Sequence, residues 1–487
     1  MKSTQNLFEK LSELRHQNQV SFHVPGHKFG RGLSELLAQQ ALSLEALDYT
    51  EIPGTDNLHA PDGVIFRAQK EAARIFGALE TQFLVGGTTS GLLGAILGTI
   101  PRGAKLILPR DAHKSVLSAV LLGGIEPVFI MPEIDSAVGI AMGLTTVKVL
   151  DTVRQHPDAA AILVTYPNYE GVACDLGSII EVAHQHGLTV IVDEAHGSHL
   201  GLSMDLPETA LSLGADLAVQ STHKTLTSLT QSSMLHYGTE RGRRLKPRIS
   251  AYLSMLQSSS PSYPLMLSLE LAARHYETKG PEEMQRLLAL IDDFNITAAS
   301  MGYKFMHGQM SLPEGFCFDR TRLVISGCDL GINGYQLYEA LELDGVIGEY
   351  ATPLYVVLIP SIVSDASDFD RLTSSLTRIA EIASPPSKPI NSFEINVPKL
   401  RVAELPKRGV SPEQALWAEQ ERVPLSEAKG RIAADFLIPY PPGIPLLVPG
   451  EIISEEVLRI VLSDLGIQHK VNGLTDGLFA VLKSFGK

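Results

Sequence analysis

Short β-branched runs recur between stretches of helical period along residues 60–240, and this alternation restricts the fold more than any other feature of the chain. The runs are Lys105-Leu-Ile-Leu-Pro109, Ala161-Ile-Leu-Val-Thr165, Thr189-Val-Ile-Val-Asp193 and Asp216-Leu-Ala-Val-Gln220. Parallel strands need long crossover connections, and helices supply them, so the pattern predicts an α/β domain with a mainly parallel sheet. Between two of the runs, Ser178–His186 followed by Gly187 reads as such a crossover helix, with Ser178 as N-cap and Gly187 as C-cap.

A chain of 487 residues exceeds what one hydrophobic core usually organises. Helix and strand alternate again over 290–383, until Ser384-Pro-Pro-Ser-Lys-Pro389 interrupts with residues that sustain neither element. The expected divisions are an N-terminal segment 1–45, a large domain 46–290, a small α/β domain 291–383 and a C-terminal domain 390–487. The last contains Pro441-Pro-Gly-Ile-Pro445, a stiff segment suited to a pocket wall or an interface.

Net charge is −14, from 40 Lys and Arg against 54 Asp and Glu, which argues against a nucleic-acid or anionic-membrane surface as the main business. The start, MKSTQNLFEKLSELRHQNQV, lacks a continuous apolar core and reads as a short amphipathic helix, so a cytoplasmic protein without a cleaved secretion signal is expected. No apolar stretch reaches membrane-spanning length free of charges, Gly and Pro. Cys174, Cys317 and Cys328 are too few and scattered for a disulfide framework.

Three elements at predicted strand ends carry the chemistry. Leu84-Val-Gly-Gly-Thr-Thr-Ser-Gly91 precedes an apolar helix, so its N–H groups and the Thr89 and Ser90 hydroxyls can hold a phosphate, although Gly with Thr or Ser there is ordinarily only capping. Asp193 ends a very apolar strand at the sheet edge where open α/β folds bind ligands. It reads either as a cap or metal ligand, or as the counter-ion of a protonated pyridine nitrogen. Lys224 follows a strand in Ser221-Thr-His-Lys224; a lone lysine there is ordinarily a surface residue, but desolvation would free its amine to form a Schiff base. An anion clamp, a ring counter-ion and an amine are together what pyridoxal 5′-phosphate (PLP) requires. His113, in Arg110-Asp-Ala-His-Lys-Ser115, falls at another strand end, where an imidazole can stack on a flat ring.

With these motifs the sequence resembles the Orn/Lys/Arg decarboxylases of PLP fold type I. The match extends to His23-Val-Pro-Gly-His27, Asp48-Tyr-Thr-Glu-Ile-Pro-Gly-Thr-Asp-Asn-Leu58, His113-Lys-Ser115, Asp193-Glu-Ala-His196, Tyr440-Pro-Pro-Gly-Ile-Pro445 and Pro449-Gly-Glu451. The resemblance implies an aspartate-aminotransferase-like fold with a mainly parallel seven-stranded sheet, a small α/β domain and a separate C-terminal α+β domain. It implies Lys224 as the cofactor lysine, Asp193 at the pyridine nitrogen, His113 stacked on the ring, and Thr89, Ser90 and Ser221 on the phosphate. It further implies His196 near the cofactor's phenolic oxygen, His223 near the reacting carbon as a general acid, and Glu451 against the distal cation of the substrate. Larger members begin with a receiver-like domain, whereas here the motifs begin within the opening segment, so the short form is expected, as a homodimer without large rings. The implied activity is decarboxylation of a basic amino acid, arginine before lysine or ornithine. An aminotransferase or aldolase on the same fold, or a non-catalytic PLP binder, are the competing expectations.

Overall fold

The computed structural model describes residues 14, 17, 19–31, 43, 45–135, 138–383, 405–440, 445–464 and 470–483. Its centre is a sheet of seven strands: β1 (Glu80–Leu84), β2 (Lys105–Pro109), β3 (Glu126–Ile130), β4 (Ala159–Thr165), β5 (Thr189–Asp193), β6 (Leu217–Gln220) and β7 (Ser233–Tyr237). The spatial order is β1-β7-β6-β5-β4-β2-β3, and β7 alone among them runs antiparallel to its neighbours. Register aligns the carboxyl ends, since Thr165 of β4 sits opposite Asp193 of β5, which in turn sits opposite Val219 of β6. Whatever leaves these three strands therefore emerges at one edge of the sheet.

The inner strands β4, β5 and β6 bury both faces, and the period of two sends alternate residues to opposite sides. Ile162, Val164, Val190 and Val192 join one apolar cluster, while Ala161, Leu163 and Ile191 join the other. Helices α1 (Val64–Phe76), α4 (Thr146–Gln155) and α5 (Leu176–Gln185) cover the first face. Helices α2 (Gly87–Thr99), α3 (Lys114–Gly123) and α6 (Glu240–Leu256) cover the second. Full burial of an Ile or Leu contributes about 1.5–3 kcal/mol, so these two clusters dominate the stability. Helix α2 is almost wholly buried because its glycines admit close neighbours: a Cβ on Gly98 would lie 2.8 Å from the Ile249 backbone of α6.

Two predicted strands keep their bounds, Lys105–Pro109 and Thr189–Asp193, and a third lengthens to begin at Ala159. The fourth starts at Leu217 because the Asp216 carboxylate turns aside to accept from Val190 N at 2.8 Å and to pair with His184 at 3.0 Å. The cap of α5 is Asp175, which accepts from Ser178 N, so Ser178 lies inside the helix; Gly187 does follow its end, with φ of +81°.

Beyond α6, a 21-residue helix, Gly280–Ser300, runs through the boundary expected at 290. It leads to an antiparallel sheet of four strands in the order Lys304–Phe305, Leu323–Ser326, Val356–Leu358, Tyr350–Ala351. The early strand Val20–Phe22 pairs in parallel with Val346–Gly348, tying the N-terminal segment to this part. In the C-terminal part, Gln420–Pro424 pairs with Leu478–Leu482 and Ile438–Tyr440 with Lys470–Asn472, around a cluster of its own that includes Leu437, Leu447, Ile453 and Phe479. The expected N-terminal helix, the Ser384–Pro389 break and residues 441–444 of the proline-rich run fall on positions outside the described residues or, for the helix, almost entirely so. No helix among the described residues is long and apolar enough to cross a membrane.

Candidate active site

At the shared carboxyl edge of β4, β5 and β6 lies a cavity of about 530 Å3. Its wall includes Lys224, Asp193, His113, Thr89, Ser221, His196 and His223, seven of the nine residues singled out from the sequence. The convergence follows from the register, because Asp193 ends β5 and the Ser221–Lys224 turn leaves the adjoining strand β6.

Lys224 is only partly exposed, and its Nζ lies 3.0 Å from His196 Nε2 and 5.8 Å from the centre of the Tyr169 ring. Burial lowers the pKa of its amine, against the opposing pull of the Asp193 and Glu349 charges, and Arg322 adds to the lowering. Asp193 is 3% exposed; burial raises its pKa, while the Lys224 charge and the Ala195 N–H, at 3.2 Å from Oδ1, act the other way. A buried carboxylate held so sparsely has capacity for another donor. A protonated pyridine nitrogen has the right charge to be that donor.

His196 is buried between two cations. Arg322 donates from one terminal nitrogen to His196 O at 3.0 Å and approaches Nδ1 at 3.5 Å. Arg322 is itself fully buried and leans on Asp319, whose carboxylate also meets His199 at 3.1 Å and Thr321. Burial, and then the charges of Lys224 and Arg322, push His196 well below the ordinary histidine range, so the ring stays neutral. The Tyr169 ring packs on it at 4.4 Å.

His223 donates from Nδ1 to Ser232 O at 2.7 Å, which fixes the proton on Nδ1 and leaves the Nε2 lone pair available. Burial brings its pKa down to about 4, so the resting ring is neutral at neutral pH and can donate only after it has taken up a proton. His113 caps α3: its Nδ1 lies 2.7 Å from Ser115 Oγ and accepts from Ser115 N, which fixes the ring in the cavity wall.

The candidate anion cradle is the start of α2. No side chain caps this end, and Gly86, Gly87, Thr88 and Thr89 all line the cavity. Thr88 Oγ1 lies 2.6 Å from Ser221 Oγ and donates to Ser233 Oγ at 3.0 Å, which joins the helix start to the end of β6. Uncapped N–H groups with hydroxyls around them form a ready phosphate site. Together with Asp193 and Lys224, these residues fit PLP.

The family signature described as "Orn/Lys/Arg decarboxylase, major domain" matches residues 5–306, and that described as "Orn/Lys/Arg decarboxylase, C-terminal domain" matches 399–473. The chain belongs to the Orn/Lys/Arg decarboxylase family. It is 36% identical to an arginine decarboxylase of Bacillus subtilis, covering 98% of this chain and 97% of that one. Against the constitutive lysine decarboxylase of Escherichia coli, identity is 24%, over 81% of this chain and 66% of the other. Among solved structures, a lysine decarboxylase of Francisella novicida superposes with a TM-score of 0.78 at 18% identity, over 98% of this chain and 80% of that one, which speaks to the fold.

Several motifs of the Orn/Lys/Arg decarboxylase family have structural roles here. Gly26 of His23–His27 donates its N–H to His223 O at 2.7 Å, and a Cβ there would lie 2.4 Å from Leu226 O. Asp56 accepts from the N–H groups of Gly63, Ile65 and Phe66 and so caps α1. Glu194 accepts from Ala210 N and the Gln220 amide, both at 2.8 Å.

Glu451 requires a correction. Its carboxylate is 4% exposed and takes Arg110 through both oxygens, at 2.6 and 2.8 Å, while also accepting from Val448 N at 2.9 Å. Each oxygen is so engaged and the side chain has no place in that cavity's wall, so the pair ties the C-terminal part to the end of β2. Ser90 is the second correction. One position further along α2, it turns into the protein and donates to Gly87 O at 2.9 Å, and Thr88 takes the place on the cradle.

Thr88, Tyr169, Glu170 and Arg322 were missed from sequence. The first three stand directly beyond strands β1 and β4, so the strand-end rule applied to every strand would have found them. Arg322 carries no local sign, because its partner His196 is 126 residues away.

Proposed function

We propose that this protein is a PLP-dependent decarboxylase of basic L-amino acids, with arginine preferred over lysine and ornithine. The observation that carries the reading is the single cavity in which Lys224, the buried Asp193 and the uncapped start of α2 converge. The preference for arginine rests on the printed names of relatives 34–36% identical over nearly the whole chain. Lys224 would hold the cofactor covalently, Asp193 its ring nitrogen, His113 its face, and Thr88, Thr89, Ser221 and the first N–H groups of α2 its phosphate. Bound PLP supplies a sink for the electron pair left when a carboxylate departs as carbon dioxide.

The chain's own groups then manage the proton. His196 stays neutral beside Lys224, so the amine keeps a partner without a second positive charge. His223 Nε2 can take up a proton and, with a pKa near 4, passes it on readily at neutral pH; Lys224 Nζ is the second carrier. A homodimer is part of the proposal, supported by the exposure of Tyr49 (53%) and Ile52 (48%) inside the family motif Asp48–Leu58. So is a cytoplasmic location.

The test is incubation with arginine, lysine and ornithine in separate reactions, with and without added PLP, measuring carbon dioxide and each amine. Stoichiometric release, fastest from arginine, is the expected result. Release without amine formation, or transamination products alone, would remove the decarboxylase reading.

A further inference from the structure

The bond between Glu451 and Arg110 leaves the positive end of a basic substrate needing a carboxylate elsewhere. Glu170 lines the same cavity as Lys224 and is 5% exposed. It lies in the turn Pro167–Gly171 that follows β4, and this turn is pinned by Asp319 N, which donates to Gly171 O at 2.8 Å. Tyr350 and Tyr355 donate their hydroxyls to Glu170 Oε1, at 2.8 and 3.1 Å. Burial, with Glu170 next, raises the Tyr350 hydroxyl well above the ordinary phenol range and keeps it a donor.

Among the described residues no Lys, Arg or His pairs with Glu170. This is unusual chemistry for an enclosed carboxylate. A buried charge requires a counter-charge as well as hydrogen bonds, and two neutral hydroxyls on one oxygen meet only part of that demand. The surroundings suit a cation: the Tyr169 ring stands edge to face with Tyr350 at 5.3 Å, so aromatic surface borders the carboxylate. Asp193, the other under-partnered carboxylate of this cavity, has Lys224 and the cofactor's ring nitrogen as its expected cations, whereas Glu170 has neither.

We infer that Glu170 is the carboxylate that receives the guanidinium or ammonium end of the substrate, in a subsite walled by Tyr169, Tyr350 and Tyr355. The inference rests on the reading of the protein as a decarboxylase of basic amino acids. Both hydroxyls approach Oε1, so the cation meets the carboxylate from the Oε2 side. A guanidinium can offer two N–H groups to that carboxylate, whereas an ammonium offers one compact charge, so the subsite discriminates by reach and by fork geometry.

Glu170→Gln keeps the shape and an acceptor for the tyrosines and removes only the charge. Two measurements on the full-length holoenzyme read the result: agmatine binding by calorimetry, and kcat/KM for arginine against citrulline, its uncharged isostere. The expected outcome is agmatine binding weakened by roughly 30-fold or more and arginine kcat/KM reduced about 100-fold, with citrulline changed less than about threefold. Equal losses on arginine and citrulline, or agmatine binding like wild type, would overturn the assignment.

Glu170→Asp gives a second reading, since it keeps the charge but withdraws it by one methylene. The ratio of homoarginine to arginine turnover should rise about tenfold, and an unchanged ratio also overturns the subsite. Agmatine binding is measured without turnover, so failure of this assignment is distinct from failure of the decarboxylase reading, which would appear as no carbon dioxide from any basic amino acid with wild-type protein.

Discussion

Two enclosed sets of charges lie at the carboxyl edge of the central sheet, and they are finished to different degrees. At the end of β2, Arg110 and Glu451 form a two-pronged pair, with further bonds to Leu446 O and Val448 N and with Phe129 beneath the guanidinium at 4.9 Å. At the ends of β4, β5 and β6, Glu170, Asp193 and Lys224 are enclosed with fewer partners than their charges require. A saturated pair holds parts together; an unsaturated set keeps capacity for a ligand. The partners each carboxylate and cation holds are what separate the two sets.

The sharpest way to break this comparison is to remove the least saturated group. Lys224→Ala should abolish visible absorbance of bound cofactor and reduce turnover by more than ~10³-fold, while the melting temperature without cofactor changes little. Retained absorbance would mean that another amine holds PLP. The saturated pair should respond in the opposite sense: Glu451→Ala leaves Arg110 buried alone, at a cost of about 3–5 kcal/mol in urea unfolding. Arginine KM of the remaining folded enzyme should stay within about threefold. Normal stability with a large rise in KM would restore Glu451 to the substrate.

Between these extremes stands Arg322, fully buried yet in contact with His196. Arg322→Lys cannot hold His196 O and approach Nδ1 with one fork, so the His196 pKa should rise and the acidic limb of the kcat/KM profile should move upward by about one pH unit. An unmoved profile with lower stability would reduce Arg322 to a packing role. The smallest effect concerns His236, buried on β7 opposite Thr81 of β1 and bonded to Thr81 Oγ1 and Gln220 Oε1. Burial lowers its pKa to about 3, so the unfolded chain takes up a proton below about 6.5 that the folded chain refuses. Its contribution is present above that pH and lost as pH falls from about 6.5 towards 3. Wild type should therefore lose about 2 kcal/mol more than His236→Gln between pH 6.5 and 5, by urea unfolding at each pH.

What the sequence disclosed follows the same division. Strand β5 and Asp193 were legible because a continuous apolar run and the carboxylate ending it are neighbours in sequence. Lys224 became legible through the order of three strand-end elements. The role of Glu451 was not, since its partner Arg110 is 341 residues distant and a motif does not say what its carboxylate touches. Ser90 was assigned to the cradle because which hydroxyl faces an anion depends on where the helix begins, and the helical turn of 100° per residue punishes an error of one position.

The sheet order carries a consequence for the making of the protein. Strand β1 has one neighbour, β7, and Thr81 meets His236 across 155 residues of chain. At translation rates of about 5–20 residues per second, β1 and the glycine-rich helix behind it wait roughly 10–30 s for that partner. Ribosome-bound chains halted before residue 233 should be cleaved by protease within 80–99, and chains extended beyond the β7 strand should resist. The start of that helix is thus made early but becomes structured only once β7 has followed it.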